Sequence, residues 1–172
     1  MPEIIAILME SVIFIGVVWL LIFVAALWHE IGHALGYMLA TRDTKWHIRV
    51  GWGKRLLNTG RLTVSLLPFD GYFTPAEDKI DTVAKLVATL SGGPAASLVS
   101  VAGLAFLKFG GVSFSSGIFA SDAVAFFIDC ALSVNLFILI LSVIPAHYFC
   151  GKIKGLETDG LQIIKAVKKS RS

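Results

Sequence analysis

His29, Glu30 and His33 lie together in the stretch LWHEIGHALG at 27–36. On a helix the two histidines stand one turn apart on one face, so both imidazoles can reach a single ion at ~2.0–2.1 Å. Glu30 is turned away from that pair by one residue. It is badly placed to ligate, yet it can face a water on the ion. His-Glu-x-x-His is the metalloprotease pattern, with the glutamate as general base. Each part has a task. Zinc lowers the pKa of a bound water from about 15.7 to about 7, and the carboxylate takes the proton as the oxygen attacks a carbonyl.

The segment that carries this signature is apolar enough to cross a bilayer. The 172-residue chain is 56% hydrophobic and only 16% charged, with a mean hydropathy of +0.79. A soluble domain carries about a quarter charged residues, so the balance points to a membrane protein. Histidines and glutamate are costly in a span unless they serve a purpose, which argues against a chance match. The length allows one domain. The N-terminal MPEIIAILMESV lacks the basic start of a secretory signal, and no small-residue cleavage site follows, so the apolar run is expected to be retained. With only Cys130 and Cys150, no disulfide framework is expected.

A hydrocarbon core of ~30 Å needs about 20 apolar helical residues. Three stretches qualify, at about 11–40 (within a longer apolar run from 4), 83–109 and 119–144. A single helix over 4–40 would exceed what a bilayer needs, so part of it must project or lie at an interface. Lysine and arginine gather between the first two spans and after the third. The positive-inside rule then predicts a multi-pass protein with its N-terminus out, its C-terminus cytosolic, and His29 and His33 toward the cytosolic end of the first span.

Between the first two spans, residues 46–74 alternate partly with period two around Asn58-Thr59-Gly60, which predicts a membrane-associated β-hairpin. After the third span, PAHYFCGKIKGLE reads as a loop. Residues 158–169 follow, with Leu161, Ile164 and Val167 at helical spacing beside lysines, as in a basic amphipathic helix on the cytosolic leaflet. The fold class expected is an α-helical membrane protein with three core transmembrane helices and a small sheet between the first and second.

A catalytic zinc keeps three protein ligands and one open position, so a third ligand is needed. Asp159 in ETDGLQI is favoured, because it lies on the predicted cytosolic side just before a helix whose N-terminus would orient it. Asp70 in PFDGYF is its competitor. Asp129 falls toward the outer leaflet and reads as a buried carboxylate bonded to neighbouring spans. His147 and Cys150 form an isolated His-x-x-Cys pair that reads as loop. Gly32, Gly36 and Ala40 make a small-residue stripe that admits another helix. In the second span Pro94 frees the backbone carbonyl near Leu90, and Gly92, Gly93, Ala95, Ala96 and Ser97 leave room for a helix or an extended peptide.

In order along the chain, these features resemble the site-2 protease family of intramembrane zinc metalloproteases, in a minimal form without a PDZ or CBS domain. The likeness covers about 29–165. His29-Glu30-x-x-His33 matches the family's first motif, which implies His29 and His33 as zinc ligands and Glu30 as the catalytic acid/base. LPFDGYF resembles its membrane-associated β-strand segment. SGGPAASL resembles its Gly-Pro-x-Ala-Asn segment, with Ser97 where asparagine is usual. SVNLFILILSVIP followed by TDGLQI resembles the third motif, over a longer intervening stretch, and implies Asp159 as third ligand. The resemblance implies Gly93, Pro94 and Asn135 at the substrate, and an edge within 61–74 that holds an unwound substrate by β-addition. The expected partners are a transmembrane protein substrate, the lipid bilayer of the cell membrane and a membrane-bound regulator, with no nucleic acid. Release of a membrane-tethered factor is the kind of signalling it implies. The competing reading is a non-catalytic membrane binding protein that retains the fold and the metal site. An ion-handling membrane protein ranks last, because few polar residues are spread along the spans.

Overall fold

α1 runs unbroken over Pro2–Thr41, about 60 Å of helix. The helix that carries the first span is thus longer than a bilayer requires, as a helix over the whole apolar run would be. Neither Glu10 nor Ser11 breaks a helix, and the Ser11 hydroxyl bonds back to the Ile7 carbonyl at 2.8 Å. The helix ends where Arg42 takes a left-handed conformation, φ 57°, and donates to the Met38 carbonyl. Asp43 then accepts from the Tyr37 hydroxyl at 2.7 Å, which holds its carboxyl below the usual range.

The computed structural model describes residues 2–75, 79–110, 122–148 and 153–171. β1 (Trp46–Asn58) and β2 (Leu62–Pro75) follow α1 as an antiparallel pair. Then come α2 (Val83–Phe109), α3 (Asp122–Val143) and α4 (Asp159–Lys169). α1, α2 and α3 are each long and apolar enough to cross a membrane. The second helix coincides with the expected 83–109, and the third falls within 119–144, of which 119–121 lie outside the described residues.

α1 and α2 are antiparallel and touch backbone to backbone. A Cβ on Gly32 would strike the Gly92 carbonyl and lie 2.7 Å from the Ala96 Cβ, and one on Gly36 would strike the Ala88 carbonyl. Trp28 Nε1 donates to the Ala96 carbonyl at 3.0 Å. Because Gly32 meets Gly92 and Gly36 meets Ala88, the end of α2 at Phe109 lies level with about residue 15 of α1. The start of α1 rises about 20 Å beyond it, and residues 3–16 are all exposed.

The sheet lies along α1. Ala34, Ile48 and Val50 are its buried centre, with Phe23, Leu27, Ile31 and Phe73 packed round them. Trp19 Nε1 donates to the Leu66 carbonyl at 2.9 Å. The pairing is less simple than a plain hairpin. Ile48, Arg49 and Val50 have Phe73, Tyr72 and Gly71 on one side and Leu62, Thr63 and Val64 on the other. Gly51 and Gly53, at φ 82° and 89°, turn β1 so that Asn58 comes opposite Thr63. Among the described residues, Gly71–Pro75 of β2 pairs with Trp46–Val50 on one side alone, an open edge that overlaps the expected 61–74.

The segment after α3 is more ordered than a loop. Thr158 donates backbone to Ala146, Tyr148 to Leu156, and Gly155 to Tyr148 at 2.8–3.0 Å, with His147 and Glu157 bridged. This short pairing satisfies backbone groups that would otherwise sit unpaired beside the apolar helices. Residues 149–152 lie outside the described residues, and with them the Cys150 half of the His-x-x-Cys pair. Asp129 does bond to a neighbouring helix, through Lys108 Nζ of α2 at 2.5 Å, but contrary to expectation it is not buried: half of its side chain is exposed.

Gly92→Leu is expected to overpack the α1–α2 contact, costing about 1–3 kcal/mol. It should lower the thermal midpoint of the helical circular-dichroism signal in detergent. Gly103→Leu, on the same helix with nothing within 4 Å of the added carbon, should leave that midpoint near the wild-type value.

Candidate metal centre

His29, Glu30 and His33 sit in the lower half of α1 and are 7%, 7% and 6% exposed. The imidazole Nε2 atoms of His29 and His33 are 3.2 Å apart. Asp159 Oδ2, from the first turn of α4, lies 3.3 Å from the first and 3.5 Å from the second. Four-coordinate geometry with bonds of ~2.0–2.1 Å places donor atoms ~3.3 Å from one another. The three separations match that triangle, so the buried His29–His33–Asp159 group can hold a metal ion.

The outer nitrogens decide what lies between these atoms. His33 Nδ1 is 2.9 Å from the Thr89 carbonyl. A carbonyl only accepts, so Nδ1 carries the proton and a neutral His33 turns the lone pair of Nε2 inward. His29 Nδ1 is 2.9 Å from the Ser97 hydroxyl, which can accept in the same way. Two lone pairs and a carboxylate oxygen then converge with nothing positive among them. A shared cation resolves the conflict, and a metal ion satisfies all three at once. Where a proton on an Nε2 takes the cation's place, burial raises the Asp159 carboxyl but hydrogen bonding to the imidazoles outweighs it and holds the pKa down at about 2.

α2 is shaped for this site. Its buried residues are Thr89, Gly93 and Ser97, one stripe at four-residue spacing. Thr89 and Ser97 hold the two Nδ1 atoms. Between them, a Cβ on Gly93 would collide with His33 Nε2 and stand 2.7 Å from His29 Nε2. α4 is held from below. Thr158 donates to the Ile144 carbonyl at 2.7 Å and accepts from Ala146 N and Leu161 N, so it ties the end of α3 to the first turn of α4 and fixes Asp159.

Glu30 packs against β2: a Cβ on Gly71 would strike its carboxylate. Glu30, the three donor residues, Pro68–Phe73, Ser142 and Tyr148 line one cavity of about 1010 Å³. Asp70 lines it too, but is not in the donor group. It lies on the sheet with Arg49 Nη2 3.6 Å from Oδ2, its own oxygens buried and otherwise without a hydrogen-bond partner.

The expected substrate residues separate. Gly93 abuts the donor nitrogens. Pro94 lies inside an α2 that continues through it, and it does not line the cavity. Asn135 donates to the Ala131 carbonyl and lines a different, apolar cavity of about 460 Å³ with Trp28 and Ser100. α3 presents Ser133 and Ser142 to the larger cavity, the second of them two turns beyond Asn135 and 2% exposed. Sequence reasoning missed Thr89, Ser142 and Tyr148. The four-residue spacing of Thr89, Gly93 and Ser97 was a signal for the first; nothing local marked the other two.

Asp159→Ala should abolish stoichiometric metal binding, while Asp70→Ala should retain it, as read by metal per chain on protein purified with metal supplied. Gly93→Ala touches no ligand, yet its methyl displaces the two nitrogens, and it should lower metal affinity at least 10-fold. No protein-family model, curated protein or solved structure matches the chain, so the reading of function rests on this centre.

Proposed function

We propose that the chain is a zinc-dependent intramembrane endopeptidase of the site-2 protease kind, acting on a membrane-spanning protein within or beside its transmembrane segment. One observation carries the reading: a tetrahedral-sized set of two imidazoles and a carboxylate shares a cavity with the buried Glu30. The two-nitrogen, one-oxygen donor set fits zinc, with a coordination position left open. Zinc there supplies a Lewis acid that lowers the pKa of water to about 7 and polarises a carbonyl.

The protein's residues do the rest. Metal binding alone does not call for a carboxylate beside the imidazoles, and Glu30 makes no hydrogen bond to another described residue. In the proposed reaction it takes a proton from the attacking water as the oxygen–carbon bond forms. It then returns that proton to the leaving nitrogen as the carbon–nitrogen bond breaks. Water enters through the cavity from the cytosolic side, where the basic segments place α4 and the sheet. The open edge at Gly71–Pro75 borders that cavity and can receive an unwound substrate strand.

The test uses purified zinc-loaded protein in detergent, with fluorescein-labelled casein as an unstructured probe and a membrane-protein extract as the source of helical substrates. Wild type should release new N-termini, and Glu30→Gln should keep about one zinc per chain while losing at least 100-fold in rate. Zinc binding without cleavage of either would favour a non-catalytic membrane binding protein.

A further inference from the structure

The proposed reaction places negative charge on the carbonyl oxygen of the bond being cut, and His29, His33, Asp159 and Glu30 offer no donor for it. Of the two tyrosines in the same cavity, Tyr72 is 49% exposed, whereas Tyr148 is half-buried and offers a hydroxyl donor. It comes from the stretch between α3 and α4, where its backbone is held on both sides: Tyr148 N to the Leu156 carbonyl at 2.9 Å, and Gly155 N to the Tyr148 carbonyl at 2.8 Å. The Thr158 bonds to Ile144 and Ala146 close the same ladder one step nearer the donor group. The tyrosine is thus carried by the element that also delivers Asp159.

Its hydroxyl forms no hydrogen bond with another described residue. A half-buried phenol beside a polar site ordinarily finds a partner. Of the two carboxylates near enough to act on it, Asp159 faces the imidazoles and Glu30 packs on Gly71, and neither bonds the hydroxyl.

Resting on the endopeptidase reading, we propose that Tyr148 is a catalytic residue, whose hydroxyl donates a hydrogen bond to the scissile carbonyl oxygen as charge builds on it. Burial, together with the charges of Asp159 and Glu30, pushes the phenol up to about 12, so it keeps its proton throughout the neutral range. Donors placed where charge develops act strongly in a site sheltered from bulk water, and losing one costs about 10²–10³ in rate. The donor is neutral and needs no second proton transfer.

The experiment compares zinc-loaded wild type with Tyr148→Phe by equilibrium binding of two probes. One is a peptide phosphonamidate, whose tetrahedral phosphorus carries oxygens where the charge would build. The other is the peptide carboxylate of the same sequence. Zinc per chain is measured on both proteins. The expected result is unchanged zinc, phosphonamidate affinity lowered about 100-fold, and carboxylate affinity within about threefold. Equal phosphonamidate affinity in the two proteins would overturn the assignment of Tyr148 alone. So would loss of zinc from Tyr148→Phe, which would make the residue a structural support. Failure of zinc-loaded wild type to bind the phosphonamidate would overturn the endopeptidase reading, and this assignment with it.

Discussion

Everything at the metal centre depends on α1 and α2 approaching closely enough for backbone to meet backbone. Helices with ordinary side chains between them stand 8–10 Å apart, and at that distance the imidazoles of His29 and His33 would meet side chains on α2. Gly32 against Gly92 and Gly36 against Ala88 remove that layer. The antiparallel register then sets His29 beside Ser97 and His33 beside Thr89, with the missing side chain of Gly93 between them. One four-residue spacing on α1 meets the same spacing on α2. The void and the two hydrogen-bond partners are therefore a single feature of the packing, not three separate ones.

The third donor obeys a different constraint. A carboxylate beside apolar helices is costly unless it is matched, and Asp159 is matched from both directions. The imidazoles face its oxygen, and its place in the first turn of α4 puts the negative charge at the favourable end of that helix. Thr158 gives up its freedom to make this hold, spending its hydroxyl on the end of α3 and on the first turn of α4 at once. Gly160 lets the two helices close, because a Cβ there would run into the Val143 carbonyl. Thr-Asp-Gly is thus one device: a staple, a ligand and a clearance in consecutive residues.

Much of this was legible in the sequence, and the reason is locality. The second and third helices follow from apolar length, the sheet from its alternation and turn, and the His29–His33 pair from helical spacing. Gly32 and Gly36 announced a close partner, and Gly92 was its counterpart. Hydropathy alone did not fix where α1 begins, because Glu10 marks a weak point for a bilayer span but not for a helix, which needs only the absence of a breaker. Asn135 and Ser142 differ by two turns of one helix, and no local property says which of them meets the cavity. That depends on where the sheet and α4 cover α3. Tyr148 was hidden for a related reason. Its position is set by a backbone ladder between residues seven to twelve apart in sequence, in a stretch whose composition reads as loop.

The sheet joins the water problem to the substrate problem. A strand edge exposes backbone donors and acceptors that lipid cannot satisfy, so open edges are excluded from hydrocarbon unless protein or a water-filled cavity covers them. Gly71–Phe73 line the cavity that holds Glu30 and the three donor residues, which makes that edge tolerable beside membrane-length helices. The same condition bears on a helical substrate. Its amides are occupied within its own helix until it unwinds, and unwinding in lipid would leave them unpaired. In the proposed reaction they would meet water and an open strand edge together at the cavity, beside Glu30. The space that admits the attacking water is thereby the place where a peptide bond can be exposed at least cost, so in the proposed reaction hydration of the site and unwinding of the substrate require one opening.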